Sequence, residues 1–127
     1  MHRSRLSTVV IDCQTADLDR AADFWAKALN RPARKPKDPA DANYRDLETP
    51  PGEVVMVVQQ VDHPSRVHID IETDDLDAEV ARLEKLGATR IAFVKRWWVM
   101  EAPTGQRFCV VRPQRPDFPS GANEWSS

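Results

Sequence analysis

Ten residues near the start of the chain recur 58 positions later: Val10-Ile11-Asp12-Cys13-Gln14-Thr15-Ala16-Asp17-Leu18-Asp19 lies over His68-Ile69-Asp70-Ile71-Glu72-Thr73-Asp74-Asp75-Leu76-Asp77, with identities at Ile11, Asp12, Thr15, Asp17, Leu18 and Asp19. A segment that repeats at a fixed offset predicts two copies of one supersecondary unit. The second copy reads more clearly. Val67, Ile69 and Ile71 alternate with His68, Asp70 and Glu72, the period of a half-buried strand. Thr73, Asp74 and Asp75 then offer side-chain oxygens to the orphan amides of a helix start, Leu76, Val80, Leu83 and Leu86 form a stripe of period 3.6, and Gly87 supplies a left-handed stop. Burying each stripe residue contributes roughly 1.5–3 kcal/mol, so this helix is expected to lie on a sheet. It is expected to take the face of Ile69 and Ile71 and to leave His68 and Asp70 looking the other way.

In chain order, Met1 to Ser7 reads as a polar leader and Thr8 to Gln14 as a strand. A first helix carries Leu18, Ala22, Trp25 and Leu29 and ends at Asn30 before Pro32. Arg31 to Ala42, with Pro32, Pro36 and Pro39 among Arg34, Lys35 and Lys37, reads as a solvated basic loop or a lid. Asn43 to Glu48 is a short strand, Pro50-Pro51-Gly52 a turn, Glu53 to Val61 a β-branched strand, and Asp62 to Arg66 a link. Thr89 to Val94, Trp97 to Glu101 and Arg107 to Arg112 read as three more strands, with Pro103-Thr104-Gly105 turning the last pair. The expectation is one domain over 1–127, with modules at about 8–61 and 67–112 and a proline-rich tail at 113–127. That tail is expected to be loose or to strap over a neighbour, with Phe118 and Trp125 as anchors.

A formal charge of −2 and a pI near 5.9 give no electrostatic case for nucleic acid or an anionic membrane. The apolar run from Thr8 to Cys13, interrupted by Asp12, is too short for a membrane span. The expected location is the cytoplasm, where Cys13 and Cys109, both in strand-like apolar contexts, stay reduced.

Four segments resemble the vicinal oxygen chelate superfamily, which includes glyoxalase I, the extradiol dioxygenases and the bleomycin-resistance proteins. They are Ala16-Asp17-Leu18-Asp19-Arg20-Ala21-Ala22-Asp23-Phe24-Trp25, Val67-His68-Ile69-Asp70-Ile71, the Asp75 to Gly87 helix, and Ala102-Pro103-Thr104-Gly105-Gln106-Arg107-Phe108-Cys109-Val110. They match most closely the glyoxalase-like subgroup. The resemblance covers Val9 to Arg112 and implies an α+β fold, two βαβββ modules whose curved mixed sheets enclose a cleft, frequently in homodimers. It also implies a divalent metal with one ligand from the first and one from the last strand of each module. Those positions are Val10, His68, Gln59 and Cys109, of which only His68 is a usual ligand. Valine cannot donate, Gln59 offers a neutral amide, and Cys109 would have to ionise to a soft thiolate. The leading expectation is therefore no resident metal, with His68 a vestige. The alternative is a divalent zinc, nickel, manganese or iron ion, its missing ligand coming from His63, a water or a second subunit.

For the cleft itself, alternation sets Val10, Asp12 and Gln14 on one face and His68, Asp70 and Glu72 on the equivalent one. His68 and Asp70 are the acid/base candidates. Asp12 and Asp70 are equivalent carboxylates that either perturb each other or are tied to Arg45, Arg66 or Arg107. Of the adjacent pair Trp97 and Trp98, one faces the cleft and the other packs under the helices; Trp98, with Tyr44, would form an aromatic wall. Cys109 could be activated by Arg107, two residues away on the same face. The expected ligand-binding set is thus Asp12, Tyr44, Gln59, His68, Asp70, Trp98, Arg107 and Cys109. Three functions compete: a metal-independent protein that binds a small molecule, an enzyme of the lyase, isomerase or dioxygenase type, and a dimeric interaction protein with a vestigial cleft.

Overall fold

Polar residues open the chain, yet they form part of its longest strand. In the computed structural model, which describes residues 1–126, β1 runs His2–Gln14, and His2, Ser4, Arg5 and Ser7 are all buried. The expected leader is therefore a strand. Periodicity misses it because the inward side chains are polar, and the partners of His2 and Arg5 stand 77 and 67 positions away.

The chain forms two compact units, Thr8–Val67 and Met1–Ser7 with His68–Ser127. The first unit holds the C-terminal half of β1, then α1 (Leu18–Leu29), β2 (Ala33–Arg34), β3 (Tyr44–Leu47) and β4 (Val55–Val61). Its strand order is β2-β3-β4-β1, with β1 and β4 parallel and the other pairs antiparallel. The second unit holds β5 (Arg66–Thr73), α2 (Leu76–Lys85), β6 (Thr89–Val94), β7 (Trp97–Glu101), β8 (Arg107–Val111) and β9 (Asn123–Trp125). Its order β6-β7-β8-β5, with only β5 and β8 parallel among these, repeats that of the first unit. This is an α+β fold built twice from βαβββ.

The repeated residues perform the same local work in both units. Asp17 and Asp75 cap the helices by accepting from the amides of Arg20 (3.1 Å) and Ala78 (3.0 Å). Two residues earlier, the hydroxyls of Thr15 and Thr73 accept from the amides of those same aspartates, at 3.0 and 3.1 Å. Asn30 ends α1 with φ 54°, and Gly87 follows α2 with φ 108°, where a Cβ would stand 3.1 Å from the Pro103 ring.

Each unit has its own core: Ile11, Leu18, Ala22, Leu47 and Val58 in the first, and Val80, Leu83, Met100, Phe108 and Val110 in the second. The expected α2 stripe holds at Val80 and Leu83, whereas Leu86 is 66% exposed. Ile69, expected under the helix, is 41% exposed because α2 packs across β6, β7 and β8 and reaches β5 only near Ile71. At the corresponding end of α1, Leu29 is also exposed. The segment expected to be one loop from Arg31 to Ala42 contains β2 and a 3-10 turn at Pro39–Asp41 capped by Asp38.

The tail, described as far as residue 126 with Ser127 lying outside the described residues, straps over its own chain. β9 pairs antiparallel with His2–Ser4 of β1. The two expected anchors hold it there: Trp125 stacks on the Arg82 guanidinium at 3.8 Å and donates from Nε1 to Ser4 Oγ at 2.8 Å, and Phe118 lies 5.4 Å from the Arg5 guanidinium. A buried carboxylate fixes the start of the tail. Glu72 accepts from the amides of Gln114 (2.6 Å) and Arg115 (3.0 Å) and from Arg5 Nε (2.6 Å), while Arg5 also donates to Asp117 and to the Ser120 carbonyl.

Candidate functional site

In the second unit, β5 and β8 run parallel with Asp70 opposite Cys109. Side chains two apart on a strand share a face, so His68 joins them on the face opposite Phe108 and Val110, which fill the core. One ligand atom each from His68, Asp70 and Cys109 lies within 4.8 Å of the others, and all three residues are half-buried. His68 Nε2 stands 3.4 Å from Asp70 Oδ1, with side chains 13% and 19% exposed. Asp70 Oδ1 is itself buried and accepts no hydrogen bond among the described residues. An acceptor kept from water without a donor is costly, about 1–3 kcal/mol and more when charged, and a cation beside it would remove that penalty.

The donors suit a divalent ion. Imidazole nitrogen, carboxylate oxygen and thiolate sulfur are all zinc ligands, with bonds of about 2.0–2.3 Å that set tetrahedral donors about 3.3–3.8 Å apart. The His68–Asp70 spacing already meets this, and the outer limit of 4.8 Å asks for a movement of roughly an ångström, within reach of side-chain rotation. Among the four positions that the family resemblance implied, His68 and Cys109 take part, and Asp70, from the acid/base pair, completes the trio. Three candidate donors thus stand where the sequence led us to expect a lone vestigial histidine.

The remaining expected site residues have other neighbours. Arg107, on β8, pairs with Glu101 at 3.4 Å. Of the two tryptophans, it is Trp98 that packs on the core under α2, its ring 5.2 Å from that of Phe93 and 5.1 Å from the Arg90 guanidinium. Trp97, one residue away, faces the opposite side. In the first unit, Gln59 Nε2 donates to Tyr44 Oη at 3.0 Å, and Asp12 lies opposite Gln59 in the β1–β4 register. Asp12 is buried, with Arg66 Nε 3.8 Å from Oδ2. Val10 is buried as well, and His63 Nδ1 donates to the Pro64 carbonyl at 2.8 Å. Burial and the neighbouring Asp12 raise the pKa of the Cys13 thiol, which is unreactive packing material.

Residues 8–111 match the family profile described as the glyoxalase-like domain. No curated protein sequence matches the chain. Among solved structures, methylmalonyl-CoA epimerase from Mycobacterium tuberculosis is similar with a TM-score of 0.60 at 18% identity, over 87% of this chain and 88% of that one. A glyoxalase/bleomycin resistance protein/dioxygenase superfamily member from Vibrio splendidus gives 0.54 at 18% identity, over 84% and 98%. An extradiol ring-cleaving dioxygenase from B. fuscum gives 0.57 at 16% identity, with 87% of this chain covering 33% of that protein. At such identities the likeness is one of fold. Among the described residues no helix is long and apolar enough to cross a membrane. The profile match, together with a βαβββ unit built twice from the same caps, establishes that the chain belongs to the glyoxalase-like domain family of the vicinal oxygen chelate superfamily.

Proposed function

We propose that the protein binds a small molecule on the face of β5 and β8 that carries His68, and that His68, Asp70 and Cys109 hold one zinc-type divalent ion there. The carrying observation is the convergence of three donors of different chemistry around a buried carboxylate oxygen without a hydrogen bond. Three protein ligands fall short of a four-ligand shell, and an ion so held supplies Lewis-acid polarisation to an oxygen of the bound molecule. The thiol favours zinc over magnesium or manganese. The fold alone does not select the chemistry: the solved relatives include an epimerase and a ring-cleaving dioxygenase, and function resides in the site.

A second reading rests on the 3.4 Å approach of the His68 ring to Asp70. In it the carboxylate orients the imidazole, and the pair hydrogen-bonds a polar ligand without metal. One experiment separates the two. Metal-stripped protein is titrated with cobalt(II) and zinc(II) while thiolate-to-cobalt charge-transfer absorption and thermal stability are followed. The metal reading expects the charge-transfer band and a rise in Tm. It also expects His68→Ala and Cys109→Ser each to weaken binding by more than the about 10- to 100-fold that loss of an outer-shell partner costs. Cobalt binding without a thiolate band, or binding unchanged in both variants, rejects the metal site and leaves the hydrogen-bonding pair.

A further inference from the structure

The first unit contains a cavity of about 470 Å3 beside α1, lined by the helix and by the chain from Asn30 to Lys35. This volume is in the range of small-molecule pockets. Five cationic side chains line it, Lys27, Arg31, Arg34, Lys35 and Arg45, against two carboxylates, Asp19 and Asp23. Both carboxylates are already engaged: Asp19 accepts from Arg45 Nε at 2.8 Å and Asp23 from Lys27 Nζ at 2.9 Å. Arg34 is paired with Glu48, also at 2.8 Å.

Arg31 is different. It is only 8% exposed, and the one hydrogen bond its side chain makes to the described residues runs from Nη1 to the carbonyl of Val54 at 2.9 Å. Among those residues it has no carboxylate partner. A guanidinium removed from water needs an anion, and one neutral carbonyl does not replace its hydration. The nearby C-terminal end of α1 contributes a partial negative charge, which is the weaker effect. Lys35, on the rim, also lacks an ion pair among the described residues. The carboxyl of Asp19 is held below the usual carboxylate range by its hydrogen bond from Arg45, with Lys35 adding to the effect.

We infer that this cavity is an anion site for a phosphate-bearing small molecule, with the Arg31 fork as its fixed donor and Lys35 closing from the rim. Phosphate suits the remaining donors because a guanidinium presents parallel N–H groups at the spacing of two phosphate oxygens. Ala22, Ala26 and Ala33 line the same cavity and leave room for a modest organic group beside the anion. The inference is independent of the His68 site.

Inorganic diphosphate is the probe, titrated at low ionic strength by calorimetry and by thermal shift, with citrate as the polycarboxylate control. Diphosphate is expected to bind and raise Tm, and citrate to bind at least tenfold more weakly. Arg31→Met is expected to weaken diphosphate binding at least tenfold while leaving the ligand-free Tm unchanged or higher, because it removes a buried charge that lacks an anion. If its Arg31 bond to Val54 proves essential for folding, Lys35→Gln supplies the test, with an expected several-fold loss of affinity. No response to diphosphate, or a response unchanged in both variants, overturns the inference. Citrate binding as tightly as diphosphate overturns the assignment to phosphate.

Discussion

Burial pushes the carboxyl of Glu79 up, while hydrogen bonds from Arg82, His2 and Ser4 push it down further, so its pKa ends below the ordinary value of 4.5. Arg82 donates to both oxygens at 2.8 Å, and His2 Nε2 donates to Oε1 at 2.8 Å. A carboxyl whose pKa is lower in the fold than in the unfolded chain stabilises the fold while ionised. Its contribution is complete above the unfolded value and disappears as the pH falls through the folded one. Stability measured by urea unfolding should therefore decline below about pH 4.5, and Glu79→Gln should flatten that decline. At neutral pH the same substitution should cost about 1.5–3 kcal/mol, the range for hydrogen bonds to charged groups. An acid limb of unchanged slope in the variant would show that the decline belongs to other carboxyls, such as Asp117, which Arg5 also holds below its usual range. Glu79 sits on a helix whose stripe of Leu76, Val80 and Leu83 is plain in the sequence, and nothing in that stripe marks Glu79 as buried. Its burial depends on His2, 77 positions away, and such a partnership has no period to detect.

At the scale of elements, the strap made by the tail is closed by one aromatic ring. Trp125 stacks on Arg82, the residue that also grips Glu79, and its indole N–H reaches Ser4 on β1. A cation–π contact contributes about 0.5–2 kcal/mol and a hydrogen bond about 0.5–1.5 kcal/mol. Trp125→Ala should accordingly destabilise the fold by about 2 kcal/mol in chemical denaturation. It should also speed amide exchange in β9 and in His2–Ser4, its partner on β1. Exchange unchanged in both strands would mean that the ring contributes nothing to the strap. Phe118 and Trp125 were readable as anchors because large aromatics stand out in a polar, proline-rich segment. What they grip was hidden, because Met1–Ser7 carries the composition of a leader. The helices show the same division. Their caps and stops follow from local chemistry at Asp17, Asp75, Asn30 and Gly87. The exposure of Ile69 follows from where α2 comes to rest across the sheet, which alternation along β5 cannot say.

Considered whole, the molecule builds one scaffold twice and equips the two copies differently. Register alignment makes this concrete: Asp12 faces Gln59 across β1 and β4, and Asp70 faces Cys109 across β5 and β8. Two positions before each aspartate stands Val10 in one copy and His68 in the other. Val10, Asp12, His68 and Asp70 were legible from strand alternation and the 58-residue offset, whereas Gln59 and Cys109 were reached only through what the family resemblance implied. The distances that bring His68, Asp70 and Cys109 together were not legible, and a sequence reading confined to the inherited ligand positions undervalues Asp70. The consequence is an unequal capacity for metal. Valine offers no lone pair, a glutamine amide is neutral, and Asp12 has Arg66 for a neighbour, so the first unit lacks a competent donor set. Zinc-loaded protein should contain one ion per chain by elemental analysis after dialysis. Asp70→Asn should lower that content sharply, while Asp12→Asn should leave it unchanged even if it lowers Tm. Two ions per chain, or loss of the ion on changing Asp12, would show that the first unit shares in the binding and that the asymmetry between the copies is not functional.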